Sequence, residues 1–279
     1  MPKARVGGKV TYFSKNQWAQ RQQQQAQQQV QQPQQQQSAT VIQQRAVQTI
    51  QQQQQQAQQQ GFNALNQAQI QQNAQAQDDH LKTIDIMTKY ILAQYGRADQ
   101  QQGGFSRSQN LNNKLTVAKG DITQAGLDQT EKKMVKYLDA AMHPLTQDTL
   151  LVRGDHAIHP SGSGLMQRLG VANYQSMTEA QLNAKLDGLI FTEHKYVSTS
   201  YDVTKNVFLN GNQSGGRSLV WNIKAKAGTN YVQARADQAE YVLARDTQFK
   251  ITGVRFTGAT VNPRAGGSLK QIVIDVEVL

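Results

Sequence analysis

Between residues 17 and 77 the chain is mostly glutamine, broken by small residues, a single Pro33 and very few apolar side chains. Glutamine tolerates a helix, but a segment with so little apolar surface has almost nothing to bury against the entropy of ordering itself. It is therefore expected to be disordered or only conditionally helical, and any core must be built from the rest of the chain. Residues 1–77 also contain no Asp and no Glu. Six cations lie there (Lys3, Arg5, Lys9, Lys15, Arg21 and Arg45), so more than half of the net charge of +10 sits in this arm. A basic arm of this kind favours anionic surfaces, whether nucleic acid or an acidic protein.

The first sustained apolar periodicity starts near residue 78. Leu81, Ile84, Met87, Ile91 and Tyr95 recur at helical spacing, with Asp78 or Asp79 placed to cap the start and Gly96 to end the helix. A polar loop is expected over 99–109 and a second helix over 129–142, with Met134, Val135, Leu138 and Met142 inward. From residue 149 the texture becomes strand-like, with runs at 150–153, 196–199, 218–224, 231–233, 240–244, 249–256 and 271–278 and one helix at 179–186. The expectation is an α+β fold, with helices over 78–145 preceding a mostly antiparallel β core over 148–279.

Several chemistries are absent from the sequence. There is no cysteine, so disulfides, thiolate metal sites and a cysteine nucleophile are excluded. No phosphate-cradling glycine motif occurs, and His156 and His159 lack an obvious third ligand, so no metal is expected. No apolar stretch reaches the roughly 18 residues that span a bilayer, and no apolar segment follows the N-terminal cations, so neither membrane insertion nor a cleavable secretion signal is expected.

Three polar groups stand at strand ends in a fixed order. Arg153-Gly154 closes an apolar strand, Tyr196-Val197-Ser198-Thr199-Ser200 forms another, and Gln238-Ala239-Glu240 opens a third, followed by Val242-Leu243, Arg245 and Thr247. Singly, each of these is an ordinary surface feature. As an ordered set, with Phe191-Thr192 before the Ser-Thr-Ser strand and Phe208 after it, they resemble the signature of mono-ADP-ribosyltransferases of the bacterial toxin and bacteriophage type.

That resemblance covers about 128–279 and implies an ADP-ribosyltransferase-like β-sandwich core behind the N-terminal helices. It further implies an enzyme that takes NAD as co-substrate, releases nicotinamide and moves ADP-ribose to a host protein acceptor. The ribose passes through an oxocarbenium-like cation, which requires a carboxylate nearby. Glu240 is the residue it implies for that role, with Ser198 holding the glutamate by a hydrogen bond. Arg153 would grip the NAD diphosphate or ribose and Gly154 would give the nicotinamide amide access to the backbone. Thr199 and Ser200 would shape the nicotinamide pocket, and Phe208 would stack on the ring. Gln238, two residues before the glutamate, bears on the acceptor: an amide matches a neutral side chain such as asparagine, whereas a carboxylate there would suit a guanidinium. Two alternatives stay open, an NAD glycohydrolase and a particle-associated structural protein with an idle domain. The arm fits delivery in a phage virion or export without a Sec signal, with action in the host cytoplasm.

Overall fold

The computed structural model describes residues 3–6, 9–12, 20, 48, 65–82, 107–159, 162, 164–202, 217–235, 239–261 and 268–279. The chain divides into two units, Met1–Ile42 and Gln43–Leu279. The first contains an antiparallel hairpin, β1 (Lys3–Val6) with β2 (Lys9–Tyr12), which the glutamine-dominated composition did not signal.

In the second unit helix α1 is Gln67–Lys82, starting well inside the segment that composition assigns to the arm. Asn66 caps it reciprocally with Gln69: each side-chain oxygen accepts from the other residue's backbone N–H. Asp78 and Asp79 are thus interior to the helix and do not start it, which corrects the expected cap. The remainder of that expected helix, including Gly96, lies outside the described residues.

Beside one buried apolar residue, Leu81, polar side chains dock α1. Asn73 and Gln77 are buried. The Asn73 amide donates to the Tyr241 hydroxyl at 3.1 Å. Gln77 donates to the Gln233 carbonyl at 3.1 Å and accepts from the Gln233 N–H at 2.5 Å, so one side chain completes both backbone groups of a strand residue. A glutamine amide carries both a donor and an acceptor, which is why a segment poor in apolar residues can still dock.

The second helix, α2 (Arg107–Val117), begins within the expected 99–109 loop. The third, α3 (Gln129–Ala141), falls where the periodicity puts it, with Asp128 and Glu131 forming a capping box and Met134, Val135 and Leu138 buried. Among the described residues no helix is long and apolar enough to cross a membrane.

The strands are β3 (His143–Pro144), β4 (Thr149–Asp155), β5 (Ile190–Glu193), β6 (Val197–Ser200), β7 (Leu219–Ala225), β8 (Asn230–Arg235), β9 (Glu240–Leu243), β10 (Thr247–Val261) and β11 (Leu269–Val278). Two helices lie between β4 and β5: the short α4 (Leu165–Arg168), which the sequence did not signal, and α5 (Glu179–Leu186), at its expected bounds. Among the described residues the strands form one nine-stranded series, β3-β8-β9-β6-β4-β7-β11-β10-β5. All neighbours are antiparallel except β7 and β11. Between β4 and β6 the matched register shrinks to one pair, Val152 opposite Ser200, so the two halves of the series meet at a narrow joint.

Two cores pack against the series. Trp221, Phe249, Ile272, Tyr174 and Leu182 belong to one, which reaches across both halves through Val197, Tyr231, Tyr241 and Leu243; Leu111, Leu115, Leu138, Tyr196, Val232 and Val242 belong to the other, under α1, α2 and α3. This is the mixed α+β architecture expected. The polar strand ends gather at the joint between the halves.

Candidate active site

The apolar run Leu150-Leu151-Val152 is buried and carries β4 through the sheet, so that Arg153 and Asp155 emerge at its end in a partly buried position. The Arg153 guanidinium is fixed there from two directions. Its Nε donates to Asp155 Oδ2 at 3.1 Å, and its Nη1 donates to the Ser198 carbonyl at 2.7 Å. The first and second members of the expected set are therefore bonded to each other.

β6 pairs antiparallel with β9, with Ser200 opposite Glu240 and Ser198 opposite Val242. Residues directly opposite, and those two apart along a strand, share a face of the sheet. Ser198, Ser200 and Glu240 thus project on one side. The residue directly across from Glu240 is Ser200; Ser198, expected to hold the glutamate, is its diagonal neighbour. Thr199 faces the other way and is buried, its hydroxyl donating to the Tyr241 carbonyl at 2.7 Å. The Ser200 hydroxyl donates to the Asp202 carbonyl at 2.8 Å and accepts from the Asp202 N–H at 3.2 Å, tying off the strand end.

Glu240 opens β9 in a half-buried position. Ala239, just before it, is fully buried with φ +50°, a left-handed conformation that costs an L-residue about 1–2 kcal/mol. Its carbonyl accepts from the Tyr201 N–H at 3.1 Å. The chain therefore turns sharply immediately before Glu240 and is anchored to the end of β6 as it does so. On the opposite strand, β8 has a register irregularity between Gln233 and Arg235, facing Tyr241 and Glu240. Such irregularities re-aim the side chains around them. Gln238 and Phe208, both expected members of the site, lie outside the described residues.

Charged residues that motif reading passed over surround Arg153. Lys195 lies 3.8 Å from Asp155 and 3.6 Å from Glu193, and the wholly buried Glu193 is paired with Arg168. Burial alone would raise the Asp155 pKa, but the cations Arg153 and Lys195, the His156 N–H and Arg217 overrule it and hold the carboxyl well below the usual range. Asp155 directly follows Arg153-Gly154, so its adjacency was visible. That Lys195 and Glu193 join it depends on strand pairing.

His156 accepts a hydrogen bond from Arg217. Burial, reinforced by the Arg217 charge, pushes its pKa down to about 4, and burial with His80 nearby does the same to His143. Among the described residues no three His, Asp or Glu side chains cluster so as to hold a metal ion. Both imidazoles have folded-state values below the ordinary 6.5, so the unfolded chain binds protons more readily. Their contribution to stability is complete above about pH 6.5 and is lost as the pH falls towards 4. The melting temperature is expected to decline across that window, with His143→Gln removing part of the slope; a flat profile from pH 6.5 to 4 would contradict this.

A family model described as ADP-ribosyltransferase exoenzyme matches residues 15–279, which extends N-terminally beyond the signature itself. No curated protein matches the chain. Among solved structures, an ADP-ribosyltransferase from Clostridium botulinum, in a triclinic crystal form, is 18% identical, with a TM-score of 0.52, and the match covers 78% of this chain and 98% of that one. A protein from S. aureus solved with NAD is 17% identical with a TM-score of 0.52 over 78% of this chain and 98% of that chain. An ADP-ribosylating toxin of C. perfringens, part of a binary enterotoxin and solved with NADH, is 16% identical with a TM-score of 0.52, over 78% of this chain and 50% of that one. At these identities the likeness is one of fold.

Proposed function

Since the chain belongs to the ADP-ribosyltransferase exoenzyme family and is thereby an NAD-dependent mono-ADP-ribosyltransferase, we propose that its acceptor is a neutral side chain, asparagine before arginine, on a host protein. In this reading Glu240 stabilises the ribosyl cation as nicotinamide leaves and holds the ribose 2′-hydroxyl. Arg153 grips the diphosphate, with Gly154 beside it leaving the backbone open to the nicotinamide amide. Ser198 orients the glutamate from its diagonal position, Ser200 ties off the end of β6 through Asp202, and Thr199 keeps β6 in register through its bond to Tyr241. Phe208 supplies the ring that stacks on nicotinamide.

The observation that carries the reading is the contiguity of β4, β6 and β9. Arg153 is bonded to the Ser198 carbonyl, and Ser200 stands opposite Glu240, so an anion grip and a carboxylate flank one hydroxyl-bearing strand. That arrangement suits a substrate with a diphosphate at one end and a developing cation at the other. The acceptor preference rests on Gln238, whose amide can present a carbonyl and an NH2 group to another amide but cannot take a proton from a guanidinium.

Mass spectrometry of a host lysate incubated with the protein and NAD tests this. ADP-ribose is expected on asparagine or another neutral side chain. Attachment to arginine would overturn the acceptor assignment, and nicotinamide release with no labelled polypeptide would favour the glycohydrolase.

A further inference from the structure

Lys195 stands just before the tyrosine that leads into β6, and its side chain is only 13% exposed. Its ammonium lies 3.8 Å from Asp155 Oδ2 and 3.6 Å from Glu193 Oε2, beyond hydrogen-bonding distance of both. The same Asp155 oxygen accepts from Arg153 Nε at 3.1 Å. Two cations therefore converge on one carboxylate oxygen, which puts the Lys195 ammonium beside the Arg153 guanidinium. Glu193 is wholly buried, and its Oε2 has no hydrogen-bond partner.

Among the described residues, Arg153, Lys195, Arg168 and Arg217 gather around the carboxylates of Asp155 and Glu193. A lysine serving only to neutralise the carboxylates would be expected to close onto one of them. This one stands between the two, with its donors uncommitted to either.

We propose that Lys195 is a second cationic contact for the diphosphate of NAD, working beside Arg153. The proposal rests on the NAD-dependent reading above. A diphosphate presents oxygens on two adjacent phosphorus atoms. The planar Arg153 fork suits one of them, and the compact, rotatable ammonium of Lys195 suits the other. Asp155 is the common anchor: it holds Arg153 directly and keeps Lys195 within reach of the same ligand.

The test compares two inhibitors of nicotinamide release, ADP-ribose, which carries the diphosphate, and nicotinamide, which does not. Lys195→Met is expected to weaken inhibition by ADP-ribose roughly ten-fold or more and to raise the KM for NAD alike, with nicotinamide inhibition unchanged. Lys195→Arg, which keeps the charge, is expected to restore most of the ADP-ribose affinity. Unchanged ADP-ribose inhibition in Lys195→Met, or equal weakening of both inhibitors, would overturn the contact and leave Lys195 a charge-balancing residue. Should Lys195→Met lose its cooperative melt, the wild-type protein carries the test through amine-selective modification of Lys195 read by mass spectrometry. ADP-ribose is expected to protect Lys195 and nicotinamide is not; no protection overturns the proposal. A wild-type protein that neither releases nicotinamide nor binds ADP-ribose would remove the transferase reading itself, a distinct failure.

Discussion

Glu240→Ala is expected to lower ADP-ribose transfer by two or more orders of magnitude, about 3 kcal/mol or more of transition-state stabilisation, while the protein stays folded and still binds NAD. The carboxylate acts on charge that exists only as the nicotinamide bond breaks, so its loss falls on kcat far more than on NAD affinity. The fold should tolerate the change because Glu240 is half-buried at the first position of β9, while Tyr241, Val242 and Leu243 behind it are fully buried and hold the strand. Labelling of lysate protein by an NAD analogue, with a melting curve on the same sample, separates the two effects. Full labelling by the variant would remove Glu240 from the chemistry.

Arg153→Lys is expected to raise the KM for NAD roughly ten- to a hundred-fold with a smaller change in kcat, the loss of charge-assisted hydrogen bonds from a fixed fork. The guanidinium meets Asp155 through Nε and the Ser198 carbonyl through Nη1, which fixes the plane of its fork. A lysine ammonium on a flexible stem cannot hold both partners and reach a diphosphate in the same geometry. Keeping the positive charge next to Asp155 limits the damage to the fold, which makes lysine a cleaner probe than alanine: without its nearest cation, Asp155 would be left more poorly compensated. Steady-state nicotinamide release measured against NAD concentration reads the result. An unchanged KM would take Arg153 out of the NAD grip.

The two substitutions act at opposite ends of one structural unit. Arg153 reaches across the narrow joint between β4 and β6, and Glu240 reads the far side of β6 through its pairing with Ser200. The hydroxyl-bearing strand is thus where a binding function and a chemical function are brought into register. Its own side chains divide the work by alternation: Ser198 and Ser200 turn to the glutamate's face, and Thr199 turns inward to the Tyr241 carbonyl.

Much of this was legible in the sequence. The strand runs, helix α5 and helix α3 follow from periodicity, since alternation and the 3.6-residue repeat survive whatever tertiary contacts are later made. The ordered set of Arg153, Ser198-Thr199-Ser200 and Glu240 was visible because each group closes or opens an apolar run. α1 was not legible, because its docking depends on the amides of Asn73 and Gln77, which have no hydrophobic pattern to betray them. Nor was the β1–β2 hairpin signalled.

The local sequence determined which segments become strands and which polar residues stand at their ends, because backbone period and side-chain apolarity are properties of neighbours in the chain. Only the tertiary structure decided which of those ends meet. The β6–β9 register set Ser200 rather than Ser198 across from Glu240, and the packing around β4 drew Lys195 and Glu193 to Asp155 and thence to Arg153. The Ser200–Glu240 and Lys195–Asp155 contacts join residues tens of positions apart, and a one-residue slip in a strand would turn its side chains to the opposite face.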